Sequence, residues 1–243
     1  MPRVAKPKPD RLTLLDQALT CLAAQGPQAT SIDVLTTTLA VSRRTFYEVL
    51  GPKADAVDAV YGYAMDLLTA DVAPPRPAES LQAYLSRCWQ HTAQAAVAQP
   101  RVFAFWEYYR TSPLARAAAT PALGPFAAVW ELVTPQLARP GQLPAGALPL
   151  PVLRRGLVAQ WSAAVEVALE EPACGQSLLL RGRVLSQGFA GWWQGTGLPA
   201  TLALSPATRA KPALTASTAA LTLLAHALGV KPDSQAGTSE PPA

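Results

Sequence analysis

Apolar residues return every three or four positions along nearly the whole chain, and no run of β-branched residues alternates with polar ones, so the pattern predicts an all-α fold. Leu12, Leu15, Leu19 and Leu22 form one stripe of a helix that begins at Asp10 and ends at Gly26-Pro27. A glycine there can cap the last turn, and the proline after it cannot continue the helix. Thr30 and Asp33 have the spacing of a capping box, and Ile32, Leu35 and Leu39 supply the buried face of the short helix that follows. Ser42 then caps a second short helix, only about two turns long, which runs to about Leu50 before Gly51-Pro52 stops it. Lys53 opens a fourth helix with Val57, Val60, Tyr61, Ala64, Leu67 and Leu68 on one side, broken at Pro74-Pro75.

Prolines divide the rest into helices near 78–98, 101–111, 123–138, 152–170, 175–194 and 206–229, with a proline/glycine loop at 139–151. The segment from Lys231 to Ala243 is polar and free of aromatic residues, the composition of a disordered tail.

Half of the 243 residues are apolar, enough for a substantial core, which excludes disorder as the dominant state. The 24 prolines and 15 glycines match neither a collagen nor a low-complexity chain. Net charge is +4 and is uneven. Residues 1–53 hold Arg3, Lys6, Lys8, Arg11, Arg43, Arg44 and Lys53 against Asp10, Asp16, Asp33 and Glu48, so a polyanionic partner is expected at that end.

Cys21, Cys88 and Cys174 contain no CxxC pair, which argues against a disulfide framework and a thiolate zinc site and for buried thiols in a reducing cytoplasm. With His91 and His226 the only histidines, a histidine-rich metal site is not expected, and no cofactor is implied. The basic start MPRVAKPKPDR precedes no apolar segment and does not read as a secretory signal. Pro212 to Val230 is free of charge, but Thr215, Ser217, Thr218, Thr222 and His226 fit a buried soluble helix better than a membrane span.

Two short helices joined by a tight turn, the second opening Ser-Arg-Arg-Thr, form a helix-turn-helix pattern. Val41, Phe46 and Leu50 can hold the second helix against the first two, so that its N-terminal side chains enter a major groove. Arg43, Arg44 and Thr45 are then candidates for base edges, because an arginine can bond guanine bidentately and a threonine methyl can touch thymine. Thr30 and Ser31 at the start of the preceding helix, Ser42, Tyr47 and Lys53 are candidates at the DNA surface, chiefly for phosphate.

Residues 10–60 resemble the DNA-binding domain of the TetR (tetracycline repressor) family, through Thr30-Ser31-Ile32, Ala40-Val41-Ser42, Thr45-Phe46-Tyr47 and Gly51-Pro52-Lys53. The resemblance covers about a fifth of the chain, and the helical remainder is similar only in length and helix number. It departs at Ala40, where a turn glycine is expected, at Leu50 for phenylalanine, at Ala54 for an acidic residue, and at Arg44 for a small residue. If position 40 needs a positive φ, its alanine costs roughly 1 kcal/mol.

The resemblance implies a one-component transcriptional regulator, usually a repressor, whose C-terminal domain dimerises and binds a small ligand. The implied organisation is a basic arm at 1–9, a DNA-binding domain at 10–53, a ligand-binding and dimerisation domain at 54–230, and a tail at 231–243. Implied partners are double-stranded DNA, a second copy of the chain and a small apolar or amphipathic effector. Cys88, His91, Phe103, Trp106, Tyr109, Trp130 and Trp161 are candidate pocket residues, although aromatic stripes at helical spacing are more often plain core. Leu157 and Trp161 on one helix, with Leu178, Gly182, Leu185, Phe189 and Trp192 on the next, are candidates for a four-helix dimer interface, against burial within one subunit.

The competing reading is a helical carrier or enzyme that keeps the fold without binding specific DNA. The chain contains no GxGxxG opening a helix, no GxxxxGK[ST], no HExxH and no GxSxG, so no catalytic motif supports an enzyme.

Overall fold

The computed structural model describes residues 10–114, 121–171, 173–174 and 177–204. The expected arm at 1–9, the last expected helix near 206–229 and the tail at 231–243 lie outside these residues. Among the described residues there are nine α-helices and one short 3₁₀ segment, and the one β-type pairing is an isolated bridge between Ser80 and Ala203.

Helix α1 (Arg11–Gln25) is capped by Asp10, whose carboxylate accepts from the Thr13 amide at 3.3 Å, and ends at Gly26 with φ 78°. Its buried face is wider than the single leucine stripe and comprises Leu14, Leu15, Ala18, Leu19, Cys21 and Leu22, while Leu12 is only partly buried. Helix α2 (Ile32–Thr38) starts one residue later than the capping-box spacing suggests. Its cap is Ser31, which accepts from the Val34 amide at 3.2 Å, whereas Thr30 is buried and donates its hydroxyl to the Gly26 carbonyl at 2.7 Å. Asp33 therefore has no box to close, and its carboxylate turns elsewhere.

Helix α3 (Arg43–Leu50) has the expected Ser42 cap, at 3.0 Å from the Thr45 amide, and stops at Gly51 with φ 77°. The turn between α2 and α3 places Ala40 at φ 52°, the left-handed region that favours glycine. The missing glycine is thus a real strain in this turn.

Helix α4 (Lys53–Thr69) leads through a proline loop to α5 (Leu81–Ala98). Arg87 of α5 pins that loop by donating to the Ala73 and Pro74 carbonyls at 2.9 and 3.0 Å while ion-paired with Glu79 at 2.8 Å. Helix α6 (Pro100–Arg110) follows after Gln99. The helix expected near 123–138 is shorter, α7 (Ala127–Leu137), and is preceded by a 3₁₀ segment, Pro121–Phe126, that is itself kinked at Gly124, φ 49°. The long helices α8 (Leu150–Glu170) and α9 (Leu178–Gly195) close the described fold.

Helix α1 packs chiefly on α6, and α8 on α9, so the three short N-terminal helices sit on the bundle rather than apart from it. The bundle core is built around Trp89, Trp106, Trp130 and Trp161, all fully buried. The Trp89 indole donates to the Leu185 carbonyl at 2.8 Å, fastening α5 to α9. Cys21, Cys88 and Cys174 are free and buried. No helix among the described residues is long and apolar enough to cross a membrane.

Candidate nucleic-acid interface

The α2–turn–α3 unit presents two classes of side chain. Phe46 and Leu50 of α3 are buried, and Leu35 and Leu39 meet them from α2 and its C-terminal cap, so burial of these four fixes the angle at which α3 stands on the surface. Ser42, Arg43, Arg44, Tyr47 and Glu48 are exposed on the opposite side, and Thr45 is half-buried with its hydroxyl 2.9 Å from that of Ser42. Tyr47 sits edge-on to Phe46 at 5.8 Å, which directs its phenol outward.

Both arginines of α3 have intramolecular partners. Arg43 donates from Nε to Asp33 Oδ1 at 2.8 Å and from Nη2 to the same oxygen. Arg44 donates from Nε to Glu48 Oε1 at 2.8 Å, one turn along the same helix. Lys53, at the start of α4, reaches back with Nζ to the Gln28 carbonyl at 3.4 Å. Ser31 is exposed, but Thr30 is fully buried, so its side chain does not lie on this surface as expected.

The folded unit is also less basic than the N-terminal charge suggests. Within residues 10–53, Arg11, Arg43, Arg44 and Lys53 are matched by Asp10, Asp16, Asp33 and Glu48, so the excess resides in Arg3, Lys6 and Lys8 of the arm, outside the described residues. The Arg44–Glu48 pair was legible as an i, i+4 spacing. The Arg43–Asp33 pair was not, because the Thr30–Asp33 spacing points to a capping box that the chain does not form.

In the bundle, Phe103 and Trp106 of α6 meet Trp161 of α8 at ring-centroid distances of 5.8 and 5.3 Å, and Phe126 meets it at 5.8 Å. Tyr109 stacks on Tyr61 of α4 at 4.5 Å and donates to Asp58 Oδ1 at 2.6 Å. Trp130, on α7, makes no ring contact with this cluster among the described residues. Cys88 and the half-buried His91 lie on α5, and burial pushes the Cys88 thiol up to about 12, against the opposing effects of the Tyr84 hydroxyl and Arg87. Among the described residues the buried indole N–H groups of Trp106, Trp130 and Trp161 meet no acceptor. Among the described residues no cluster of three or more His, Cys, Asp or Glu could hold a metal.

The two stripes expected to form a dimer interface face inward. Leu157, Trp161, Leu185, Phe189 and Trp192 are buried within the protomer, because α8 and α9 pack these faces on each other and on α5. Of that set only Leu178 and Gly182 reach the surface. The outer faces carry Val152, Ala159, Ala163 and Val167 on α8, and Leu178 and Leu179 on α9, the last two more than four-fifths exposed at 81% and 83%. These exposed apolar and small residues share the outer faces with the exposed Arg155, Glu166 and Arg183.

No known family profile and no curated protein sequence matches the chain. Solved structures do. A protein from Shewanella sp. PV-4 described as a TetR-family transcription regulator matches at a TM-score of 0.63 and 19% identity, over 78% of this chain and 98% of that one. A TetR-family transcription regulator from Marinobacter aquaeolei VT8 matches at 0.54 and 18% identity, over 76% and 94%. A Clostridium perfringens protein described as a fatty acid metabolism regulator matches at 0.53 and 11% identity, over 77% and 100%. The chain therefore has the fold of the TetR-family transcription regulators, a helix-turn-helix unit on an all-helical bundle.

Proposed function

We propose that this chain, with the fold of the TetR-family regulators, is a homodimeric, effector-responsive transcriptional regulator that binds a pseudo-palindromic operator in duplex DNA. The observation that carries the reading is α3: a capped two-turn helix held by Phe46 and Leu50, with Arg43, Arg44 and Tyr47 turned to solvent at its outer end. A helix so placed fits a B-DNA major groove, where the terminal edge of an arginine matches guanine O6 and N7. Ser31, Ser42 and Lys53 flank it as phosphate contacts, and Thr45 offers its methyl group to a base edge.

Two copies joined through the outer faces of α8 and α9 carry two recognition helices, and a dimer that reads successive major grooves calls for half-sites roughly 34–36 Å apart. The apolar Val167, Leu178 and Leu179 and the small Ala159, Ala163 and Gly182 suit a close helix-to-helix contact of this kind. We place an apolar or amphipathic effector at the aromatic region around Phe103, Trp106 and Trp161, because the indole N–H groups of Trp106 and Trp161, which meet no acceptor among the described residues, suit a molecule bearing hydrogen-bond acceptors. Such an effector shifts operator affinity only through unequal affinity for the two dimer geometries.

The test is selection from a random duplex pool at physiological salt. The reading expects an inverted repeat among the retained sequences. Retention without a shared motif, or no retention, contradicts it.

A further inference from the structure

The Asp33 carboxylate sits on the recognition arginine itself. We infer that Asp33 is a specificity-determining positioning residue, which holds the Arg43 guanidinium with its terminal edge directed at a guanine; this rests on the DNA-binding reading above. Arg43 is the first residue of α3 and Asp33 lies in the first turn of α2, so the pair spans the turn between the two helices. Nε and Nη2 of Arg43 both donate to Asp33 Oδ1. A guanidinium has five N–H groups on two usable edges, and this contact occupies the side edge. The remaining edge, one N–H from each terminal nitrogen, stays free to pair bidentately with guanine O6 and N7.

Both side chains are about two-thirds exposed, at 67% and 65%, so the pair adds little to fold stability. Its consequence lies in binding. A free arginine in the groove must give up side-chain rotamers when it meets a base, and one already held by a fixed partner gives up fewer. An exposed carboxylate on the surface proposed to meet DNA repels the phosphate backbone whatever the sequence. Asp33 therefore raises discrimination while lowering sequence-independent affinity. The balanced charge of residues 10–53 agrees with such a trade, although Arg44 meets Glu48 of its own helix through Nε alone.

The experiment compares wild type, Asp33→Ala, Asp33→Asn, Arg43→Ala and the double variant Asp33→Ala/Arg43→Ala on the operator recovered from a random pool. Each base pair of one half-site is replaced in turn, and unrelated duplex DNA is titrated across a range of salt. Arg43→Ala should lose roughly ten- to hundredfold of preference at one G·C pair and little elsewhere. Asp33→Ala should lose several-fold of preference at that same pair while binding unrelated DNA more tightly, and the double variant should lose no more than Arg43→Ala alone. Asp33→Asn, which keeps an acceptor but no charge, should retain part of the preference while showing the gain in nonspecific binding.

Unchanged base preference in Asp33→Ala, or a loss spread evenly over all positions, overturns the inference and leaves the regulator reading standing. A wild-type protein that shows no sequence preference overturns both.

Discussion

Arg101 of α6 closes on Asp16 of α1, with Nη2 2.6 Å from Oδ1 and Nη1 3.1 Å from Oδ2. The same Nη1 donates to the Thr20 hydroxyl at 2.6 Å, and Tyr63 of α4 donates to Asp16 at 3.0 Å. One carboxylate thus gathers three helices. At the other end of α6, Tyr109 binds Asp58 of α4, so α6 grips both helices that support the helix-turn-helix unit. A change in the aromatic region that moved α6 would move α1 and α4 with it, and α3 through them.

Asp16→Ala leaves the Arg101 guanidinium and the Tyr63 hydroxyl without their shared acceptor. Because the pair is partly exposed, the expected loss of unfolding free energy is about 1–2 kcal/mol rather than the larger cost of a buried ion pair. Denaturant titration of the two proteins checks it.

The same carboxylate predicts a pH dependence. Burial pushes the Asp16 pKa up, but the hydrogen bonds from Arg101 and Tyr63 and the charge of Arg101 outweigh it and hold the group below its ordinary 3.8. A lowered folded pKa contributes stability above 3.8 and loses it as pH falls from there through the folded value. Thermal unfolding followed down through that acidic window should fall less steeply for Asp16→Asn than for wild type, and parallel curves would contradict the assignment.

Ala40→Gly should stabilise the protein. Alanine at φ 52° costs about 1–2 kcal/mol, and glycine gives part of that back through its freer unfolded chain, which leaves a gain of up to about 1 kcal/mol. Chemical denaturation measures it. Neither partner of the turn changes, so DNA binding should persist.

Gly188→Ala should do the opposite of what helix propensity suggests. In a free helix the change gains about 1 kcal/mol, but a Cβ here would lie 2.9 Å from Ala164 Cβ and 3.1 Å from the Trp89 ring. Overpacking of a dense core costs about 1–3 kcal/mol, so the clash wins and the thermal midpoint falls.

Much of this arrangement was legible in the sequence. The helical period, the Ser42 cap and the two glycine-proline stops located the short N-terminal helices, since these signals act within a few residues. The exposed α3 residues followed from Phe46 and Leu50 pointing inward. What was not legible depended on distance along the chain. Asp16 with Arg101 and Asp58 with Tyr109 are joined only by the packing of α6, and Asp33 looked like a cap residue until Ser31 took that role. The inward turn of the Leu157–Trp161 and Leu185–Trp192 stripes was hidden for a related reason. Both helices have apolar residues on two faces, and period alone cannot say which face meets the protomer's own core.

That outer face makes its own prediction. Val167→Glu with Leu179→Glu changes two exposed residues, so the helical content should hold while the proposed dimer weakens at least about tenfold, or 1.4 kcal/mol. Sedimentation over a concentration series checks it, and an unchanged dimer would place the interface elsewhere.

Whether the outer end of α3 reads DNA is decided by the operator affinity of wild type against Arg43→Ala/Arg44→Ala, with sedimentation run in parallel. Both side chains are exposed and make only intramolecular surface pairs, so the variant should keep its fold and association state. Binding to the selected operator should fall to the level of unrelated DNA. A variant that bound the operator as tightly as wild type would contradict the account.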